Sequence, residues 1–403
     1  MKRLMSFIAE DADDVLVYLI GLQMVFCYYT VAMSSISGGL AIAVFLLSSV
    51  RNRIVSVLGS KQIYPVLAIL LWLPITLIWS RNIHSGLDEL RNLWFYLLFV
   101  IGTTIFWDER RVRIIIVMFI VGAMSNFAIA LLQMFGLWPL GGYDPIQGPV
   151  GYSYRVFLGV DTVPVILFML WDMKYKFIFR SKIYPAMIAL SLLIQLAITT
   201  GRTGQAIFAM LAIPFLFLVF NKQKKFLGVL VGALVIMVLI LGFTVPTVEL
   251  RWHDALRDVF LFFSGKPDTD LGLRMVFWDS AFHIFLSHPL FGIGPGSFIE
   301  YTIHLMEAGV IPAIPKGYYV MIEPHNSFLA YLTSYGLVGL SLFVFFLYSL
   351  LRRTWRQKNN ALGMFQLLML ASFVVGSFSD VMIFRFAVVA PFMVSMSMSY
   401  RNR

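Results

Sequence analysis

Residues 322–353 read IEPHNSFLAYLTSYGLVGLSLFVFFLYSLLRR. Asn326 and Ser327, both residue types that cap helix starts, open a mostly apolar run over 326–351, and Arg352 and Arg353 close it. At about 1.5 Å of rise per residue such a run spans roughly 30 Å of hydrocarbon as a helix. His325 therefore stands where a polar segment enters a bilayer. Apolar runs of this kind recur along the chain: about 15–31, 37–50, 63–80, 92–107, 112–138, 155–172, 183–200, 203–220, 226–246, 326–351, 361–378 and 381–399. Sixty per cent of the residues are hydrophobic and 13% are charged, which excludes an ordinary soluble domain. The expectation is an all-α polytopic membrane protein of about twelve transmembrane helices.

The net charge of +10 is a topology signal and does not point to nucleic acid. Basic residues gather in alternate loops, for example Arg110, Arg111 and Arg113, Lys174 to Lys182, and Arg352 to Lys358. Both termini then face the cytoplasm. Met1-Lys2-Arg3 is followed by acidic residues and a full-length apolar run, with no small-residue cleavage pattern, so the first span reads as an anchor. The single cysteine, Cys27, lies inside that span and allows neither an internal disulfide nor a thiolate cluster. Topology leaves Arg81, Arg91, Arg155, Arg202, Arg251, Arg257, Lys266, Arg274, Lys316 and Arg385 unexplained, on the outer side or in the outer halves of spans. An arginine so placed needs water or a partner and is a candidate for function.

The chain divides into nine spans over 1–246, a large helical outer loop over 247–324, and three spans over 325–403, all one integral membrane unit. Within the loop, 248–263 has the spacing of an amphipathic surface helix, and 271–286 and 298–306 carry two further helical patterns. Between these two, Phe291-Gly292-Ile293-Gly294-Pro295-Gly296 makes a rigid turn. A second outer loop, 139–154, is rich in glycine, proline and tyrosine and reads as a lining or lid segment. No internal repeat is visible, which argues against a transporter built from inverted halves.

His325 is either a helix-entrance cap or a base: a neutral imidazole there takes a proton from a hydroxyl, with Glu323 near enough to orient the ring and Asn326 opening the helix. Arg202, in the hairpin Thr199-Thr200-Gly201-Arg202-Thr203-Gly204, either snorkels or grips a phosphate that glycines let approach. Arg274 either pairs with Asp270 or faces a ligand. Arg91 opens the fourth span beside Asp88 and Glu89. Asp161 reads most simply as the partner of Arg155 or Arg385. No Asp-x-Asp pair and no His/carboxylate set at metal-ligand spacing occurs, so no metal and no other cofactor is expected. Outward arginines with one candidate base imply an anionic lipid-linked substrate and a reacting hydroxyl.

The same residues carry a resemblance. Thr200-Gly-Arg202-Thr-Gly204, Gly272-Leu-Arg274 ahead of Trp278, Ser287-His-Pro-Leu-Phe-Gly-Ile-Gly294-Pro-Gly296, Pro324-His325-Asn326-Ser327 and Tyr335-Gly336-Leu-Val-Gly339 resemble the bacterial O-antigen ligase and polymerase superfamily over roughly 190–345. The resemblance implies a membrane glycosyltransferase of the third structural class (GT-C-like) in the inner membrane. Its donor is a glycan on undecaprenyl diphosphate and its site is periplasmic, without a metal. It implies His325 as base and Arg202 and Arg274 at the diphosphate; Arg91, Glu323, Asn326, Gly294 and Gly296 are the candidate supporting residues beside them. For the ligase the acceptor is a hydroxyl of lipid A–core, attacked with inversion. The alternative is a polymerase that uses lipid-linked glycan as both donor and acceptor; a lipid-linked glycan transporter is the reading from another class.

Overall fold

The computed structural model describes residues 12–59, 63–137, 150–199, 201–220 and 269–399, with single positions between them. Among these residues every regular element is helical. The principal helices are α1 (Ala12–Phe26), α2 (Val31–Leu47), α3 (Tyr64–Ile75), α4 (Ile83–Leu90), α5 (Tyr96–Thr104), α6 (Glu109–Met134), α7 (Arg155–Tyr175), α8 (Ile183–Ile198), α9 (Arg202–Phe220), α10 (Asp270–Ser287), α11 (Phe298–Glu307), α12 (Ser327–Arg356), α13 (Ala361–Gly376) and α14 (Phe386–Ser397). The chain is a multi-pass helical membrane protein: α6, α7, α9 and α12 are long and apolar enough to cross a membrane, and five shorter apolar helices accompany them. The expected run at 226–246, the amphipathic helix at 248–263 and most of the 139–149 segment lie outside the described residues.

Helix starts follow polar residues that the apolar runs cannot themselves supply. Asn326 Oδ1 accepts from the Phe328 and Leu329 amides at 2.9 and 3.1 Å. Thr30, Asp108, Thr269 and Asn360 cap α2, α6, α10 and α13 in the same way. Two helices begin after a tighter turn. α5 follows a 3-10 turn over Arg91–Phe95 and α14 one over Met382–Phe384.

α7 lies at the centre, with 83% of its apolar window buried against 44% in the other three long helices. It packs on α8, α9 and α13, while α1 packs on α2 and α6, and α14 on α5. Lipid supplies no hydrophobic drive between helices, so close backbone approach is needed. Gly159 of α7 and Gly204 of α9 provide it: a Cβ on Gly204 would lie 2.6 Å from the Gly159 Cα.

α12 is broken at Gly336, whose φ of 66° and ψ of −168° are open to glycine but not to side-chain-bearing residues. The break frees backbone groups that a membrane protein must satisfy internally. Residues 289–294 do so. The Ile293 and Gly294 amides donate to the Thr333 and Ser334 carbonyls, both at 2.9 Å, and the Leu337 and Val338 amides donate to the Pro289 and Leu290 carbonyls at 2.9 and 3.2 Å. The segment 269–324 is thereby a folded cap on α12, with its own apolar cluster of Leu273, Val276, Phe277 and Ile284 against Phe298, Met306 and Ile322.

At the opposite end of the bundle several loop cations are paired: Arg53 with Asp13 at 2.7 Å, and Arg110 and Arg111 with Asp14 at 3.1 and 2.7 Å.

Candidate functional site

His325 occupies the link between the capping segment and α12. Its φ of 44° lies in the left-handed region, a conformation that costs a non-glycine residue roughly 1–2 kcal/mol. The surroundings hold it there. Asn326 must be extended to cap α12, and the Trp278 indole N–H donates to the Pro324 carbonyl at 3.0 Å. The imidazole rests near the Phe277 ring, centroid to centroid 6.0 Å, with its side chain 17% exposed. Its Nδ1 lies 3.1 Å from Glu323 Oε1, close but not aligned as a formed hydrogen bond. Nε2 makes no hydrogen bond among the described residues. Glu323 thus lies beside the ring without a hydrogen bond to it.

The same Glu323 oxygen receives Arg385 Nη2 at 2.5 Å, and that nitrogen also reaches Asp380 Oδ1 at 3.3 Å. Asp380 is tied to the α12 start, since its carbonyl accepts from Ser327 Oγ at 3.1 Å and the Ser377 carbonyl accepts from the Ser327 amide at 2.8 Å. Arg385 therefore belongs to the His325 site. This corrects the expectation that Asp161 pairs with Arg155 or Arg385. Asp161 is buried with both oxygens unpartnered among the described residues, and it lies near Cys27 and Tyr28, just past the end of α1. Helical twist explains the miss. Six residues along α7 separate Arg155 from Asp161, which is not a whole number of turns, so the two side chains leave the helix on different faces.

Sequence spacing showed no metal-ligand set, yet the fold brings Glu323, His325 and Asp380 together with ligand atoms within 4.8 Å of one another. Asp380 lies too far along the chain for local spacing to expose it. The donor set does not suit a cation, however, because Arg385 already bonds both carboxylates at that point. A divalent ion there would face a fixed guanidinium.

The glycine turn is a structural joint. A Cβ on Gly294 would lie 2.7 Å from the Ser80 Cα, and one on Gly296 would lie 2.2 Å from the Gly86 amide nitrogen. Both positions serve backbone packing against the 80–90 segment and hold the cap in place. Glu89, which sequence reasoning noted only as a neighbour of Arg91, closes this joint. Its Oε2 accepts from the Gly296 amide at 2.7 Å and its Oε1 from the Tyr335 hydroxyl at 2.9 Å. Burial pushes the Glu89 carboxyl up to about 7; these two donors pull it back, and the nearby Glu323 carboxylate adds to the rise.

The remaining arginines surround this centre without touching His325. Arg274 lies one helical turn before Phe277 and Trp278, which contact the His325 link, and it makes no ion pair among the described side chains; that of Asp270 lies outside them. Arg202 is exposed at the start of α9. Gly201 and Gly204 beside it pack against the Arg155 carbonyl and Gly159, so they serve helix contact, contrary to the expected approach of a ligand. Arg155 is two residues from Phe157, whose ring lies 5.9 Å from the Arg385 guanidinium. Arg91 is exposed beside Asn92, whose amide donates to the Phe384 carbonyl at 2.6 Å, next to Arg385. Five arginines thus gather at one end of the bundle.

In a comparison with known families, residues 186–344 fit the family model described as O-antigen ligase. A search among curated proteins gave no match.

Proposed function

Residues 186–344 belong to the O-antigen ligase superfamily, whose members are glycosyltransferase-like ligases and polymerases, and from that premise we propose that this chain is the ligase. In this reading it moves a glycan from undecaprenyl diphosphate to a hydroxyl of lipid A–core, at the periplasmic face of the bacterial inner membrane, with both termini cytoplasmic and a GT-C-like fold of twelve spans. The observation that carries the reading is the placement of His325 Nδ1 3.1 Å from Glu323 within the matched segment.

His325 Nε2 takes the proton of the acceptor hydroxyl as its oxygen bonds to the anomeric carbon of the donor. The bond from that carbon to the diphosphate oxygen breaks on the opposite face, and the configuration inverts. The diphosphate leaves with the electron pair, its charge met by Arg202 and Arg274. The imidazolium that forms lies against Glu323, which Arg385 holds in place. No step requires a metal. Arg91, Asn326, Gly294 and Gly296 support the site by position.

Membranes containing the protein, given polyprenyl-diphosphate glycan and lipid A–core in the presence of a chelator, test this reading. Glycan on lipid A–core is the expected product. Lengthened polyprenyl-linked glycan makes the protein a polymerase. Neither product, with His325→Ala cells indistinguishable from wild type, removes the transferase reading.

A further inference from the structure

Glu89 lies outside the segment matched to the family, and nothing in the proposed chemistry uses it. Its surroundings are nonetheless built. The carboxylate joins three elements: its own helix α4, the glycine turn through the Gly296 amide, and the broken α12 through the Tyr335 hydroxyl. Around this contact the turn is fastened to the 80–90 segment a second time, because Ser80 Oγ donates to the Pro295 carbonyl at 2.7 Å and the Arg81 amide donates to Ser297 Oγ at 3.0 Å. From Tyr335 the path to His325 is short. The Tyr335 ring meets Phe384 at 6.4 Å, Arg385 follows Phe384, and Arg385 holds the Glu323 oxygen beside His325 Nδ1.

We propose that Glu89 is a positioning residue for the transfer reaction, its ionised carboxylate holding the glycine turn and the first half of α12 at the height that places His325. The proposal rests on the transferase reading for its kinetic consequences and stands alone for its structural ones. Both of Glu89's partners donate, so the ionised form accepts from both, whereas a protonated form carries an O–H that this arrangement gives no acceptor unless the Tyr335 hydroxyl turns round. Burial favours the protonated form, and the two donors favour the ionised one; that balance brings the carboxyl up to about 7. The titratable groups facing it are Tyr335 from α12 and Glu323 from the His325 link; Asp88 and Arg91 beside it in the chain are exposed. The geometry fixes which form makes both bonds: above neutrality the carboxylate accepts from Gly296 and Tyr335, and the proton taken up as pH falls through about 7 displaces one of them.

Initial rates of the full-length wild type, Glu89→Gln and Glu89→Ala in membranes between about pH 5.5 and 8.5 test this, with donor saturation curves at each pH. In wild type the acid limb includes the ionisation of Glu89. Glu89→Gln places an N–H2 where the ionised acid has an acceptor and so mimics the protonated form at every pH: its rate at high pH falls toward the wild type's low-pH level, and its acid limb has one ionisation fewer. Glu89→Ala loses about tenfold or more in kcat with donor KM unchanged. Hydrogen exchange gives an answer independent of chemistry: above neutrality, peptides 292–297 and 322–335 exchange faster in Glu89→Ala than in wild type, with Glu89→Gln between them. An acid limb equally steep in wild type and Glu89→Gln overturns the proposal, as does unchanged exchange in Glu89→Ala. If wild type transfers nothing, the functional reading fails while the exchange result still decides the joint.

Discussion

Arg385 and Glu323, 62 residues apart in the chain, share one contact that His325 also joins: the Glu323 Oε1 that accepts from Arg385 Nη2 lies 3.1 Å from His325 Nδ1. A guanidinium on that oxygen fixes where it sits and so which way the imidazole turns. Arg385→Ala is therefore expected to lower the rate of transfer by about a hundredfold through misplacement of His325, although Arg385 touches no substrate. Asp380→Asn leaves the Glu323 contact and costs less. Initial rates of the two variants, compared at equal protein in the membrane, check the order.

Loss of the base itself is the larger effect. His325→Ala should reduce the rate by about a hundred- to ten-thousandfold, the usual worth of a general base, with donor KM little changed. A normal elution profile of the detergent-solubilised variant separates lost chemistry from lost fold.

Arg202 and Arg274 should act on binding of the diphosphate. Each loss of a charge-assisted contact is worth about 1.5–3 kcal/mol, so Arg202→Ala and Arg274→Ala each weaken donor binding by roughly tenfold to a hundredfold. Inorganic pyrophosphate should inhibit wild type and lose potency in both variants. Equal inhibition in all three would remove the arginines from the diphosphate.

Asp161 should be dispensable. Neither oxygen has a partner among the described residues, and none of the outer arginines meets it. Asp161→Asn is expected to keep the transfer rate within about twofold and to hold or raise the thermal midpoint, since an unpaired buried carboxyl stabilises nothing.

The α7–α9 contact is set by two glycines, and bulk there has nowhere to go. Gly204→Leu forces the helices apart and should cost about 1–3 kcal/mol or more, read as a lower thermal midpoint. Gly204→Ala should fall between the two.

Much of this architecture was legible in residue pattern. Apolar runs bounded by Thr30, Asp108, Asn326 and Asn360 announce helices because those side chains are what a helix start needs, and eleven of the twelve expected runs coincide with helices in the described residues. His325 and Glu323 were legible for a similar reason: they are local to one another and to a helix entrance. The break in α12 was not, because Tyr335-Gly336 inside an apolar run reads alike whether the helix continues or stops. What stops it is a distant segment, 289–294, bonding to it. Arg385 stood out only as a charge that topology left over, and pairing over such a separation leaves no local mark. Asp161 misled because depth and sequence proximity suggested an arginine partner, while the twist of α7 puts it on a different face from Arg155.

The interruption at Gly336 also bears on how the protein is made. Four backbone groups there are answered only by residues 289–294, which leave the synthesis machinery before α12 does. When α12 is made, its stitching partner has already been synthesised and stands ready. A chain assembled in the other order, with the last helices supplied separately from the first, would insert a helix whose middle has raw polar edges in lipid. Maturation of this protein is therefore directional: the late helix is finished by a strap delivered ahead of it, and split versions cut between that strap and α12 should join poorly unless the upstream half is inserted first.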